Sequence, residues 1–322
     1  MNIAFTDDLE LQNIQSRLQA TDSEIRRIAL LDLADIAEDE HTSLFIAALR
    51  DPAPAVRAEA ARALEAFESD ASVTGLIGLL DDSEAQVREA AAHSLSELKR
   101  PSSARLLLPH VTHPDAFVRA SILRALRELR AEESAVPASA ALDDPNSLVR
   151  REAIGVLGYL KHTAALLSLA TLATCDPDAE VRRAATGALG LSDTDAILPA
   201  LLAALNDQAW QVREEAATVL GKLRIQAASA QLIASLQDSY WQVRLRTARS
   251  LGRLRSIDAV PKLIETLAHE ISNLRKEAAL ALGEIGDMAA LSALEHAQGD
   301  ADPEVRKAAR IAIAQVRGNQ TA

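Results

Sequence analysis

An apolar residue followed by arginine recurs ten times along the chain, at Ile25-Arg26, Val56-Arg57, Val87-Arg88, Val118-Arg119, Val149-Arg150, Val181-Arg182, Val212-Arg213, Val243-Arg244, Leu274-Arg275 and Val305-Arg306. The numbering advances by 31 from each to the next, except for a step of 32 between Val149 and Val181. Eight residues after each apolar position stands Leu or Ile (Leu33, Leu64, Leu95, Leu126, Leu157, Leu189, Leu220, Leu251, Leu282, Ile313), and four residues after it stands Ala in eight of the ten cases. Positions 0, 4, 8 and 11 of such a segment share one stripe of a helix, with a small residue where a second helix must come close. A unit of this length has room for two helices but too little apolar surface to bury alone. Consecutive units must therefore stack into one continuous core, which predicts a solenoid.

The partner helix of each unit is read in segments such as AVPKLIETLAHE (259–270) and ASAQLIASLQD (228–238), where apolar residues stand three and four apart. Turns rich in Asp and Pro separate the helices. Asp22, Asp115, Asn146, Asp178 and Asp302 lie three residues before the apolar-Arg position, where a short oxygen-bearing side chain caps the second helix, and Pro54 and Pro303 fit its first turn. With 48% hydrophobic but only 2% aromatic residues, the core is expected to be aliphatic.

The motif D-x-x-x-x-V-R-x-x-A-x-x-A-L-G, present as DQAWQVREEAATVLG and DSYWQVRLRTARSLG, resembles the HEAT-like repeats of the phycobilisome-lyase type. The resemblance spans the chain and implies an all-α fold: a single right-handed α-solenoid over 1–322 of about ten two-helix repeats. Their approximate bounds are 8–38, 39–70, 71–101, 102–132, 133–163, 164–194, 195–225, 226–256, 257–287 and 288–317. It also implies a ladder between neighbouring units, formed by a turn Asp and the helix Arg six residues later, so that Arg213 is expected to hold Asp207 and Asp176: the series is Asp51, Asp82, Asp144, Asp176, Asp207, Asp238 and Asp300. Ala20, His113 and His269 interrupt that series, so looser joints are expected there.

The formal charge of −12 is concentrated in residues 1–100, which carry 9 basic and 20 acidic side chains against 25 and 26 in the remainder. Nucleic-acid affinity rests on neutralising phosphates with Lys and Arg, so this balance argues against a nucleic-acid partner. No run of 18 uncharged apolar residues suggests a membrane span, and MNIAFTDDLELQ lacks the charge and hydropathy pattern of a secretory signal. Cys175 is the only cysteine, which rules out an internal disulfide and suits a reducing, cytoplasmic setting.

One stretch departs from bare repetition. In DSYWQVRLRTARSLGRLR (238–255), Asp238, Val243, Arg244, Leu251 and Gly252 recur elsewhere at the repeat spacing, whereas Arg246, Arg249 and Arg253 do not. Their spacing of three and four places them together on the exposed face of the second helix, which the resemblance assigns to the concave side. Two readings stand. In one, the arginines pair with glutamates of adjoining repeats, Glu215 for Arg246 and Glu284 for Arg253. In the other, they form a cationic ridge for carboxylates or phosphates of a partner; Arg249 favours this, since Thr218 and Leu280 at the equivalent positions cannot neutralise it.

The aromatics carry the same ambiguity. Trp210 and Trp241 stand one period apart in the first turns of consecutive second helices, where they are expected side by side, packing on the adjoining turn. Tyr159, Trp210, Tyr240 and Trp241 are the only Trp and Tyr residues in the chain, and interfaces favour these types together with Arg. Tyr240 holds a helix-capping position without being a capping residue. Gly155 with Tyr159, and Gly187 with Leu191, suggest a shallow apolar trough for a partner helix. Glycines that follow the recurrent leucine (Gly158, Gly190, Gly221, Gly252, Gly283) fit close helix packing and not a phosphate loop.

No catalytic constellation is legible. His110 and His113 with Asp115 form a turn whose surface role outweighs a metal role, Cys175 sits in an acidic turn, and neither a metal nor a cofactor is expected. The expected function is binding: a scaffold, adaptor or accessory chaperone for another protein whose surface is acidic or phosphate-bearing with an apolar element. The alternative, from the resemblance alone, is a subunit in cofactor attachment or maturation of the bilin-lyase kind. Incubation with bilin and an acceptor phycobiliprotein separates the two. Ile311 in the last repeat suggests a sticky end, hence a monomer or weak homodimer.

Overall fold

The computed structural model describes residues 3–191 and 195–318, with side chains from residue 9 and, after the break, from 196. Among these the chain is built from α-helices joined by short 3-10 turns, paired as the period requires. It divides into two compact units, one ending at His162 and the other starting at Thr163. The division falls within the one lengthened interval. Each unit is an α-solenoid segment in which consecutive second helices pack on one another: Pro54–Ala63, Ala85–Ser96, Ala116–Leu129 and Ser147–Leu160 in the first, and Ala179–Leu189, Trp210–Leu223, Trp241–Leu254, Ser272–Ile285 and Pro303–Gly318 in the second.

The recurrent positions are the core. From Val56 to Val305 the residue before the arginine is buried, as is every Leu or Ile eight residues on and every Ala, Ile or Thr four residues on. Ile25 departs from this at 41% exposure, because its helix Ser23–Ile36 begins the series of two-helix repeats. Small residues let the helices close up. A Cβ added to Gly252 would lie 2.8 Å from the Ala281 Cα, and one on Gly221 would run into Ser250. Ser250 in turn donates to the Ala217 carbonyl at 2.7 Å, and Ser94 donates likewise to Ala61 at 2.9 Å, tying second helices together across the repeat joint.

The capping expectations hold at each position: Asp22, Asp115, Asn146, Asp178 and Asp302 accept from backbone N–H groups two or three residues on. Pro54 and Pro303 open their helices. The first helices are shorter than the apolar pattern suggests. Over 259–270 the α-helix is Val260–Thr266, preceded by a 3-10 turn at Ile257–Ala259 and followed by i→i+3 bonds that tighten its end.

The ladder runs in the other direction from the one expected: a rung arginine takes the carboxylate of the following turn and only the backbone carbonyl of the residue six before it. Arg213 donates through Nε and Nη2 to both carboxylate oxygens of Asp238 (2.7 and 2.9 Å), 25 residues on, while Nη1 donates to the carbonyls of Asp207 and Gln208 in its own turn. The same fork joins Arg26 to Asp51, Arg57 to Asp82, Arg119 to Asp144, Arg182 to Asp207 and Arg275 to Asp300. Each Asp also accepts from the N–H two residues later, so one carboxylate closes its own turn and the joint to the repeat before. Burial raises the cost of the Asp238 charge. Hydrogen bonds from Arg213 and the Tyr240 N–H, with the charges of Arg213 and Arg244, outweigh that cost and hold the carboxyl below its ordinary range.

At the interruptions histidine takes over half of the role. His113 Nδ1 accepts from Asp115 N–H, and His269 Nδ1 accepts from Ile271 N–H at 3.0 Å, so the turns are kept. The joints differ. Arg88 still grips the Asp82 and Ser83 carbonyls and lies over the Phe117 ring, whereas Arg244 makes neither contact among the described residues and its Nε is buried without a hydrogen-bond partner.

Candidate functional site

The outer face of helix Trp241–Leu254 carries Arg246, Arg249 and Arg253, of which Arg249 does recur, as Arg62 and Arg124 six residues after Val56 and Val118, and two of the three are occupied. Arg246 Nε donates to Glu214 Oε1 at 3.0 Å, so its partner is the residue before the expected Glu215. Glu215 instead lies across Gly187, half-buried; burial pushes its carboxyl up, with Glu214 adding to the effect against the nearby basic groups. Arg249 is the clearest correction. It makes a two-pronged contact at 2.6 and 2.9 Å with Glu277, a carboxylate only 5% exposed. The partner stands 28 residues on, three short of the whole period at which Leu280 occupies the equivalent position. The hydrogen bonds to Glu277, against the cost of burial, hold the Arg249 guanidinium above its ordinary range.

The same device occurs in the first unit. Arg124 reaches Glu152, again 28 residues on, and Arg127 reaches its second oxygen at 3.2 Å; Glu152 is 4% exposed. Sequence reading missed this inner rung, whose signal is an Arg six residues after the apolar position and a Glu three after the next.

Arg253, expected opposite Glu284, forms no ion pair among the described residues, although both border one shallow depression with Arg249, Glu277 and Gln315. It is the exposed cation that this helix leaves available.

The aromatic pair is also re-sorted. Trp210 stacks on Tyr240, with ring centroids 5.5 Å apart and planes inclined by 14°, and not on Trp241; the Arg213 guanidinium lies 5.7 Å from the Tyr240 ring centre. Tyr240 makes no side-chain cap, as its residue type dictates, and is 45% exposed. Its stacking between a rung arginine and the tryptophan of the preceding repeat supplies a structural reason for its presence. Trp241 is half-buried.

The apolar trough is not as expected. A Cβ on Gly155 would sit 3.0 Å from the Arg127 side chain, which therefore covers that glycine, as Glu215 covers Gly187. Tyr159 is 45% exposed with the guanidinium groups of Arg127 and Arg130 5.7 and 5.3 Å from its ring centre, and Leu191 is 39% exposed. Charged side chains thus overlie both glycines, because small residues open space that long neighbours fill. In the last helix Ile311 is the exposed large apolar residue beside Lys307 and Arg310. His113 has both ring nitrogens engaged, Nδ1 by Asp115 N–H and Nε2 3.3 Å from Asp81. No helix among the described residues is long and apolar enough to cross a membrane.

Comparisons with known proteins agree with this construction. The chain resembles an engineered protein, 22% identical over 96% of this chain and 99% of that one, with a TM-score of 0.53. It resembles the YibA protein of Escherichia coli, 20% identical over 80% and 95% with a TM-score of 0.62. It also resembles importin β, 15% identical over 96% of this chain and 51% of that one with a TM-score of 0.66. At these identities the likeness is one of fold. No curated protein matches the sequence significantly. The model of HEAT repeats matches in overlapping segments, 11–96, 73–138, 135–221, 166–239 and 229–314. The chain therefore belongs to the HEAT-repeat family.

Proposed function

We propose that the chain is a protein-binding scaffold or adaptor that holds a partner against the exposed face of its second helices. The observation that carries this reading is the division of labour within those helices. Recurrent residues are spent on core, caps and ladder, while non-recurrent ones such as Arg246 and Arg253, with the exposed rings of Tyr159 and Tyr240 and the side chain of Leu191, face outward. Stacked repeats create extended surfaces of this kind. Two solved structures with the same fold, at TM-scores of 0.63 and 0.65, are of Kap95 with RanGDP and with Nup1, so the architecture supports protein recognition elsewhere.

The partner is a protein with an acidic or phosphate-bearing surface and an apolar element. Arg253 supplies the long-range attraction, and Arg246, tied only to the partly exposed Glu214, exchanges that partner for a stronger one on binding. Photo-crosslinking tests this reading: a crosslinkable residue in place of Arg253 should capture a protein that the same residue in place of Lys262, on a first helix, does not. Equal capture from both positions, or unchanged binding of the captured protein by a folded Arg246→Ala, Arg253→Ala variant, rejects it.

A further inference from the structure

Arg224 and Arg255 end consecutive second helices, one period apart, and both adopt left-handed backbone conformation, with φ of 53° and 51°. A side chain with a Cβ is disfavoured there, and glycine is the usual occupant. The next repeat follows that rule with Gly286, φ 77°. A cation at a helix C-terminus recovers some of the cost through the helix dipole. That accounts for one basic residue per helix end but not for Arg253 beside Arg255.

The three arginines border one open depression of about 490 Å³, together with Gly252, Gly283, Glu284 and Gln315. None of the three makes an ion pair among the described residues. Exposed arginines within other second helices, Arg62, Arg183 and Arg317, each lean on a carboxylate. Glu284 approaches Gly252 and acts electrostatically on Arg249, so it forms one wall of the depression without neutralising Arg253. The lining carries three positive charges against one negative, in a chain whose formal charge is −12. The Arg224 and Arg255 N–H groups turn back to the Gly221 and Gly252 carbonyls, so each backbone amide is used inside its own helix end and the guanidinium groups are what the depression offers.

We propose that Arg224, Arg253 and Arg255 form a binding site for a phosphate group. A guanidinium offers paired donors that match phosphate oxygens, and Gln315 in the lining brings a neutral amide group. The net charge of the lining balances a dianion. The site requires no macromolecular partner, so it stands or falls apart from the scaffold reading.

The test is a ³¹P NMR titration of the full chain with inorganic phosphate and, separately, with phenyl phosphate, at low ionic strength where screening is weak. The informative variant is Arg224→Gly with Arg255→Gly, because glycine suits the left-handed positions and keeps the helix ends. Saturable binding is expected in the unaltered chain, about tenfold weaker in the double-glycine variant and tighter in Glu284→Gln. A preference for phenyl phosphate assigns the site to phosphomonoesters, and the reverse to the free ion; both uphold it. Non-saturable binding by the unaltered chain, or equal affinity in a double-glycine variant whose Tm has not fallen, overturns it.

Discussion

His269→Asp should strengthen the molecule by rebuilding a missing rung. At the six rungs described above the arginine fork meets an Asp 25 residues on, with Nε to oxygen distances of 2.7 Å in mostly buried surroundings. Arg244 has His269 at that distance along the chain, and its buried Nε has no partner. A carboxylate at 269 supplies two charge-assisted bonds, each about 1.5 to 3 kcal/mol gross. It also preserves the acceptor for Ile271 N–H that His269 Nδ1 now provides. Against this stands the desolvation of a new carboxylate, several kcal/mol at full burial and less at this half-open joint. The net expectation is a gain of about 1 to 2 kcal/mol.

The pH dependence sharpens the test. Burial, helped by Arg244 and Arg275 against Glu270, holds the His269 pKa below its ordinary value. A group depressed in the folded state contributes stability above its unfolded pKa, here about 6.5, and loses it as pH falls. The advantage of the His269→Asp variant should therefore grow from pH 7.5 to 5.5 and shrink below about pH 4, where the new carboxyl protonates. Hydrogen exchange at amides of Trp241–Leu254 and Ser272–Ile285 reads the effect locally, since repeats couple to their neighbours. His113→Asp is the internal control: Arg88 is already held by two carbonyls and a ring, so its gain should be smaller. Equal gains at both sites, or none at 269 at pH 7.5, would refute the orphaned-arginine argument.

Arg213→Ala leaves Asp238 half-buried without its fork and is expected to cost about 1 to 3 kcal/mol in urea denaturation. Because the rung carboxyls are depressed in the folded state, ladder stability should be complete above about pH 4 and fail as pH falls below it; a folded fraction that is flat through acid titration contradicts this. Arg249→Ala should also destabilise, by leaving Glu277 buried and unpaired, and adding Glu277→Gln should restore much of the loss; a neutral Arg249→Ala returns that arginine to a purely functional role. Once a partner is in hand, Arg246→Ala with Arg253→Ala should slow association and flatten its salt dependence, whereas Tyr159→Ala should act on dissociation, by about 2 kcal/mol if the ring is a hot spot. Stopped-flow traces at two salt concentrations separate the two effects.

The period by itself determined the pairing of helices, the buried positions and the helix caps. Each of these depends on residues that touch within one repeat or on a register copied along the chain, so spacing carries the information. Val243, Leu251 and Asp178 could be placed without coordinates for that reason. The partners of long side chains were a different matter. A chain read in whole periods compares Arg249 with Leu280, but the second helices pack with an offset. A guanidinium therefore reaches 25 residues ahead from the first turn, as Arg213 does, and 28 residues ahead from the third, as Arg249 does. That offset is set by how ridges of one helix seat in the grooves of the next, and no local propensity encodes it. Tertiary packing alone therefore gave Arg249 to Glu277, stacked Trp210 on Tyr240, laid Arg127 over Gly155, and left the buried Arg244 Nε without a partner.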